Sequence, residues 1–98
     1  MSRRQPCLLA YDITDRRRLA RVHRYLGRHG QAMQHSVFLC HWNTRERELR
    51  LAELAKLIDP RRDDLRCYPL PASPDIVQIG PTLLPEGALL LARSWTPA

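Results

Sequence analysis

The sequence predicts a single α+β domain, and two observations carry this prediction. Short apolar runs alternate with stretches in which apolar residues recur every three or four positions, so strands and amphipathic helices follow one another. At 98 residues the chain has the length of one small domain. Its 44% of hydrophobic residues and 27% of charged residues are typical of a globular protein rather than a disordered one.

The first strand and the first helix follow directly from these patterns. An apolar run over residues 7–12 predicts a buried strand that ends in the carboxylate of Asp12. The next helix is predicted to start after a cap at Thr14 or Asp15 and to stop at Gly30. The apolar residues on its core side recur at helical spacing and are Leu19, Val22 and Leu26.

The middle of the chain predicts one strand and one further helix. Side chains of residues 33–42 alternate between two partly apolar faces, which predicts a second strand. Asn43 and, three residues later, Glu46 form a capping pair. Apolar residues at helical spacing then extend the second helix from about Thr44 to Ile58.

The rest of the chain predicts strands separated by prolines. These strands are residues 65–70, 75–79 and 87–93. The whole succession fits a ferredoxin-like βαββαβ arrangement with an additional C-terminal β-strand, in which an antiparallel sheet packs against two helices. Residues 1–98 therefore form one domain, with its core at about residues 6–80 and a C-terminal strand or tail at 81–98.

The positive charge is concentrated in the first helix. The chain carries a net charge of +6, and the basic and acidic residues outside this helix balance one another. The helix contains six arginines and no acidic residue, namely Arg16, Arg17, Arg18, Arg21, Arg24 and Arg28. Cations near a helix N-terminus are disfavoured by the helix dipole, so helix stability does not explain them. A solvated charged face is the ordinary alternative, but charges of one sign favour binding to nucleic-acid phosphates.

Composition argues against a membrane protein and against a zinc site. No run of about 18 apolar residues is present, and the first six residues lack the apolar core of a secretory signal. We therefore expect a cytoplasmic protein with no membrane partner. Three widely spaced cysteines, Cys7, Cys40 and Cys67, form no Cys-x-x-Cys pair and are expected to be buried thiols in a reducing compartment.

Asp12 is the candidate metal ligand. A carboxylate at the end of an apolar strand that leads into a cationic helix is a possible metal ligand beside a possible phosphate-binding face. The alternative is that Asp12 caps the helix that follows it, and the residues alone favour this cap.

Four segments, in this order and spacing, resemble the CRISPR-associated Cas2 family over about residues 7–80. They are Tyr11-Asp12-Ile13, the arginine-rich helix, Ser36-Val37-Phe38 and residues 64–70. The resemblance implies a homodimer in which the two Asp12 side chains share Mg²⁺ and form the catalytic and metal-binding site. It also implies a role in acquiring new CRISPR spacers, with the dimer bridging the Cas1 integrase and incoming double-stranded DNA. For some members it implies a metal-dependent endonuclease activity on RNA or DNA, which adds single-stranded RNA as a partner.

The same resemblance adds one residue to the six arginines of the nucleic-acid-binding site. Ser36 matches the serine of the family's Ser-x-Phe, where its hydroxyl would reach a phosphate or a metal-bound water, and Phe38 is expected to be a core residue. Three functions stay open: an adaptor in spacer integration, a nuclease such as a VapD-like endoribonuclease toxin, and a non-catalytic nucleic-acid-binding module such as an RRM. The RRM is the weakest, since no predicted strand carries the closely spaced aromatic residues that stack bases.

Overall fold

A computed structural model describes residues 3–75 together with residues 77 and 79, and in them six elements follow the order β-α-β-β-α-β. The elements are β1 (Gln5–Asp12), α1 (Arg16–His29), β2 (Gln31–Gln34), β3 (Val37–Trp42), α2 (Thr44–Leu57) and β4 (Asp64–Pro69). The four strands form one antiparallel sheet in the order β2-β3-β1-β4. The predicted α+β class and ferredoxin-like order are confirmed.

The single strand predicted over residues 33–42 is wrong, because this region contains part of a hairpin. β2 and β3 pair antiparallel around a turn at His35 and Ser36, with a register shift between Ala32 and Gln34. Gln34 and Val37 flank the two-residue turn and are cross-strand partners, so the turn alone would invert the alternation of side chains between faces. The extra residue at the register shift restores the alternation, and Met33, Val37 and Leu39 lie on one face as in a continuous strand. Ser36 consequently lies in the turn and not within a strand.

Two predicted strands and the tail fall on parts of the chain that are largely or wholly outside the described residues. The strand over 75–79 is described only at residues 75, 77 and 79. The strand over 87–93 and the rest of the tail at 81–98 lie outside the described residues altogether.

Both helices begin at caps that the sequence predicted. The Asp15 side chain accepts hydrogen bonds from the backbone N–H groups of Arg17 and Arg18 at 3.1 and 3.0 Å. Asn43 and Glu46 form a reciprocal capping box before α2, at 2.7 and 3.0 Å. Each such cap stabilises its helix by about 1 kcal/mol. Each helix has 14 residues, and in the described part of the chain neither is long and apolar enough to cross a membrane.

The main core lies between the two helices and one face of the sheet. Alternate residues of β1 point into it, and α1 contributes Val22 and Leu26. Its buried members are Cys7, Leu9, Tyr11, Ile13, Val22, Leu26, Phe38, Cys40, Trp42 and Leu54. Burial of one large apolar side chain contributes about 1.5–3 kcal/mol, so this cluster supplies most of the driving force for folding.

The opposite face of the sheet carries a smaller apolar cluster. It consists of the buried Met33 and Leu39, with Leu8, Val37 and Leu70 partly buried against them. Tyr68 of β4 is the cross-strand partner of Leu8 on this face and is 46% exposed. Neither helix contributes a residue to this cluster, so the sheet is apolar on both sides.

The three cysteines are free thiols, as the sequence predicted. Cys7 and Cys40 are buried cross-strand partners of β1 and β3, and Cys67 is partly buried. Burial raises the pKa of Cys7 and of Cys40 to about 12, which keeps both side chains protonated. These thiols therefore act as small core residues.

Leu19 does not join the core as predicted. It is 39% exposed, whereas Val22 and Leu26 on the same helix are buried. With His23 and the turn residue His35, it lines a shallow hollow of about 340 Å³. Leu19 therefore borders an open hollow and does not belong to the main core cluster.

Gly30 marks the closest approach of the end of α1 to β3, and it is needed there for space. Its φ of −158° is extended backbone that any residue adopts. A Cβ at this position would overlap the sulfur of Cys40 and lie 3.1 Å from the carbonyl oxygen of Leu39. We therefore expect Gly30→Ala to lower the free energy of unfolding by about 1–3 kcal/mol, measured by urea denaturation, because the packed core must shift.

Gly27→Ala is the matched control for this substitution. A Cβ at Gly27 would meet no atom within 4 Å, so alanine should stabilise α1 by about 0.5–1 kcal/mol through its higher helix propensity. Cys40→Ala introduced into the Gly30→Ala variant should recover part of the loss, since it removes the overlapping sulfur. Wild-type stability of Gly30→Ala would contradict the close approach.

Candidate acidic site and nucleic-acid interface

A buried carboxylate joins two loops at one end of the sheet. The side chain of Asp63, which precedes β4, is 0% exposed. It accepts hydrogen bonds from the backbone N–H and the hydroxyl of Thr14 at 3.0 and 3.1 Å, and from the backbone N–H of Asp59 at 2.8 Å. The Arg18 guanidinium completes the set with two contacts, at 2.8 Å from Nε and 3.2 Å from Nη2. The β1–α1 and α2–β4 connections are thus tied together.

The charges of this contact are mutually stabilised. The Arg18 guanidinium, assisted by the N–H groups of Asp59 and Thr14, holds the pKa of Asp63 well below its usual range and outweighs the opposing effect of burial. Asp63 in turn raises the pKa of Arg18. Arg18 therefore serves as a structural cation, which distinguishes it from the other arginines of α1.

The remaining arginines of α1 are exposed. Four of them form a stripe along the helix, which we call the arginine stripe, and they are Arg17, Arg21, Arg24 and Arg28. Arg16 flanks this stripe. In the part of the chain that the structure describes, none of these five guanidinium groups lies within 4 Å of a carboxylate oxygen. Their charge is therefore available to an external anion.

The arginine stripe has a length that suits a nucleic-acid backbone. Its ends, Arg17 and Arg28, are separated along the helix by about 16 Å at a rise of about 1.5 Å per residue. A duplex rises about 3.4 Å per base pair, so the stripe matches about five base-pair steps. Such contacts neutralise phosphates without reading the bases.

Asp12 lies exposed at the end of β1, and it is not the helix cap, since Asp15 has that role. Its cross-strand partner is Asp64, the first residue of β4, and partners in an antiparallel pair face the same side of the sheet. Asp64 forms an ion pair with Arg66 at 2.9 Å. Two carboxylates thus meet at this end of the sheet. Local patterns missed Asp64 because they carry no information on the register between β1 and β4.

The acidic site offers the type of ligand that Mg²⁺ prefers, but one chain offers too few of them. Carboxylate oxygens are the hard donors that this ion prefers, and both Asp12 and Asp64 are exposed. Among the described residues, however, no three or more histidine, cysteine, aspartate or glutamate side chains are grouped so that they could hold a metal ion. One chain therefore offers an incomplete ligand set.

Tyr11 fixes the β2–β3 turn beside this acidic end. Its backbone N–H donates to the carbonyl of Ser36 at 3.1 Å, and its hydroxyl donates to the carbonyl of His35 at 3.1 Å. The hydroxyl also lies 3.1 Å from Nδ1 of His23. Burial raises the pKa of Tyr11 to about 12, which keeps the hydroxyl a donor. Ser36 is thereby held next to the strand that ends in Asp12.

The structure gathers part of the predicted site at one end of the sheet. Asp12, the turn with Ser36 and the first turn of α1 lie there, because α1 starts where β1 ends. Arg28 lies at the other end, where it lines a hollow with Trp42. The predicted phosphate-binding residues thus extend along the whole helix.

Comparison with known proteins gives concordant results. Residues 6–75 match the family described as CRISPR associated protein Cas2. The chain is 45% identical over 80 residues to the CRISPR-associated endoribonuclease Cas2 1 of Nitrosomonas europaea, covering 82% of this chain and 76% of the relative. It is 43% identical over 77 residues to the CRISPR-associated endoribonuclease Cas2 2 of Thermodesulfovibrio yellowstonii, covering 79% and 85%. The crystal structure of the hypothetical protein TT1823 from Thermus thermophilus superposes with a TM-score of 0.76 at 31% identity, covering 85% and 99%.

Asp63→Asn tests the contact that organises this end of the molecule. The pKa of Asp63 is lower in the folded protein than in the unfolded chain, where it is about 3.9. The ionised carboxylate therefore stabilises the fold above about pH 3.9, and this stabilisation is lost as the pH falls towards the pKa of the folded protein. We expect Asp63→Asn to lower the urea midpoint at pH 7, and the difference from wild type to shrink below about pH 4. Asp75→Asn, which removes an exposed carboxylate, is the control. A difference that stays constant from pH 7 to pH 2.5 would contradict the assignment.

Proposed function

Because the chain belongs to the CRISPR-associated Cas2 family, we propose that it binds the phosphate backbone of double-stranded DNA and acts as an adaptor during spacer acquisition. In this role a homodimer bridges the Cas1 integrase and the incoming DNA in the cytoplasm. The observation that carries the proposal is the arginine stripe, whose guanidinium groups lack acidic partners within the described residues.

The contrast between the two helices supports this assignment. α2 carries charges of both signs, and Arg50 pairs with Glu53 at 3.3 Å. α1 presents four aligned arginines whose mutual repulsion is unfavourable for the isolated protein. Phosphates relieve that repulsion and release the counterions condensed on DNA, which gives sequence-independent affinity.

Two features support a dimer. The second face of the sheet carries Leu8, Val37 and Leu70 only partly buried, beside the exposed ring of Tyr68. Apolar surface of this kind is typical of interfaces between copies of a small domain. The acidic site has too few ligands in one chain, and a two-fold axis near Asp12 would double them.

The combined variant Arg17→Gln, Arg21→Gln and Arg24→Gln tests the stripe. Loss of three phosphate contacts should weaken duplex binding and reduce the slope of log K against log salt by up to about three units, measured by fluorescence anisotropy from low to physiological salt. The matched control Arg45→Gln, Lys56→Gln and Arg61→Gln removes the same charge from exposed positions outside α1 and should keep nearly the wild-type slope. Equal slopes for both triple variants would refute the stripe as the DNA contact.

An endonuclease activity on RNA or DNA is the second candidate, and the acidic end of the sheet favours it. The relatives from Nitrosomonas europaea and Thermodesulfovibrio yellowstonii are named endoribonucleases. In this proposal Asp12 from each of two chains would hold Mg²⁺, and the bound ion would supply Lewis-acid activation of water for hydrolysis of a phosphodiester. Arg16 and Arg17 bind the flanking phosphates, and the Ser36 turn borders the same end of the sheet.

Asp12→Asn separates this activity from binding. The substitution removes the charged ligand but keeps the shape, so Mg²⁺-dependent cleavage of single-stranded RNA or duplex DNA should fall by at least about 100-fold while duplex affinity changes little. Wild-type cleavage by the variant would eliminate Asp12 as the ligand. After subunit exchange in an equal mixture with wild type, a shared site predicts about a quarter of the wild-type rate, since only wild-type homodimers are active. Half the rate would indicate that each chain acts alone.

A further inference from the structure

A second basic surface lies at the end of the sheet opposite Asp12. Trp42 pairs with Gln5 there and separates two hollows of about 240 and 230 Å³. The first hollow is lined by Arg3 and Arg47 together with Gln5, Trp42 and Thr44. No acidic residue among those described lines it.

The second hollow is continuous with the arginine stripe. Arg28, the last member of the stripe, lines it together with Arg4, His41 and Arg50, and one acidic residue, Glu46, also lines it. Because α1 runs back along β1, the stripe leads from the acidic end of the sheet to this hollow. Cationic groups therefore extend without interruption from the start of α1 to the hollow.

Arg50 carries an unmet hydrogen-bond donor at this surface. Its Nε atom is buried and has no hydrogen-bond partner within the described part of the chain. Buried donors are normally satisfied, and a guanidinium N–H is among the strongest donors in proteins. No acceptor for this donor lies among the described residues, and the cationic neighbours Arg4 and Arg28 favour an anionic acceptor.

The carboxylates near these hollows are already neutralised. Glu46 accepts hydrogen bonds from Arg4 at 3.1 Å and from the N–H of Asn43 at 3.0 Å. Glu53 accepts from the Tyr25 hydroxyl at 2.6 Å and from Arg50 at 3.3 Å. The helix dipole accounts for a cation such as Arg28 in the last turn of α1, but not for Arg3 and Arg47. The uncompensated charge is thus positive.

We propose that the hollows on the two sides of Trp42 bind backbone phosphates of a nucleic-acid strand that continues past the end of the arginine stripe. Arg3 and Arg47 hold one phosphate, and Arg28, His41 and Arg50 hold another. This inference rests on the proposed nucleic-acid binding, and it extends the binding surface beyond the arginine stripe. It adds contacts that carry no base specificity.

Inorganic phosphate is the first probe, and Trp42 supplies a local signal. In a Trp95→Phe background Trp42 is the only tryptophan, and its indole N–H gives one resolved NMR resonance. When inorganic phosphate is titrated at constant ionic strength, the chemical shift of this resonance should change and reach a plateau. The pair Arg3→Gln and Arg47→Gln should weaken that response by about ten-fold, since hydrogen bonds to charged groups contribute this much. Arg45→Gln with Lys56→Gln, which removes equal charge from α2 positions that line neither hollow, should change it by less than about two-fold.

Duplex DNA is the second probe and separates this inference from the proposed function. Arg3→Gln with Arg47→Gln should lower the log-log salt slope by up to about two units, whereas the control pair should not. The inference is overturned, while the stripe assignment stands, if two results are obtained together. The wild type binds duplex with a salt slope that Arg3→Gln with Arg47→Gln leaves unchanged, and phosphate does not shift the Trp42 resonance. If wild type binds no duplex, the proposed function fails, and the phosphate titration alone decides whether the hollows bind anions.

Discussion

The contact on which the rest of the site depends is the buried carboxylate of Asp63. Its two oxygens bind Thr14, Arg18 and the backbone of Asp59 at once, so the loop that leaves β1 and the loop that enters β4 share one anchor. A buried carboxylate is tolerated only when its hydrogen-bonding capacity is used, and here a guanidinium and two N–H groups use it. Because both loops are fixed, the strand ends bearing Asp12 and Asp64 and the first turn of α1 have defined relative positions.

The Asp63 contact also distinguishes Arg18 from the neighbouring arginines of α1. Arg18 lies in the same arginine triplet as Arg16 and Arg17, yet among the described residues only the Arg18 guanidinium is bound to a carboxylate. The unfavourable position of cations in the first turn is offset by the Asp15 cap and by this ion pair, so α1 can begin there. The neighbouring arginines keep their charge for an external partner. A helix that is stabilised by its cap and by this ion pair can thus carry a cationic face without acidic partners among the described residues.

Local sequence patterns predicted the elements well and the long-range pairings poorly. The caps at Asp15 and Asn43 and the buried positions of Val22, Leu26 and Phe38 follow from short-range chemistry and periodicity. The hairpin turn at His35 and Ser36 lacks the glycine, asparagine, aspartate or proline that normally mark a turn, and the register shift between Ala32 and Gln34 keeps the alternation of side chains continuous across it. The partnership of Arg18 with Asp63 spans 45 positions, and that of Asp12 with Asp64 depends on strand register. No local pattern encodes either one. The resemblance to a family identified Asp12, but only the fold revealed its acidic neighbour.

β1 and α1 place the exposed acidic residues and the exposed arginines in different parts of the molecule. The acidic residues occupy one end of β1, whereas the arginines follow α1 back to the opposite end, where Trp42 lies. An anionic strand lying along α1 would therefore be held mainly by contacts remote from the carboxylates. Close to Asp12 and Asp64 the potential falls, because two carboxylates oppose the cations of the first turn. A divalent cation shared with a second chain would remove that opposition. We therefore expect three events at the acidic end to reinforce one another, namely metal binding, dimerisation and tight contact with phosphate. Binding of phosphate along the rest of α1 would need none of them.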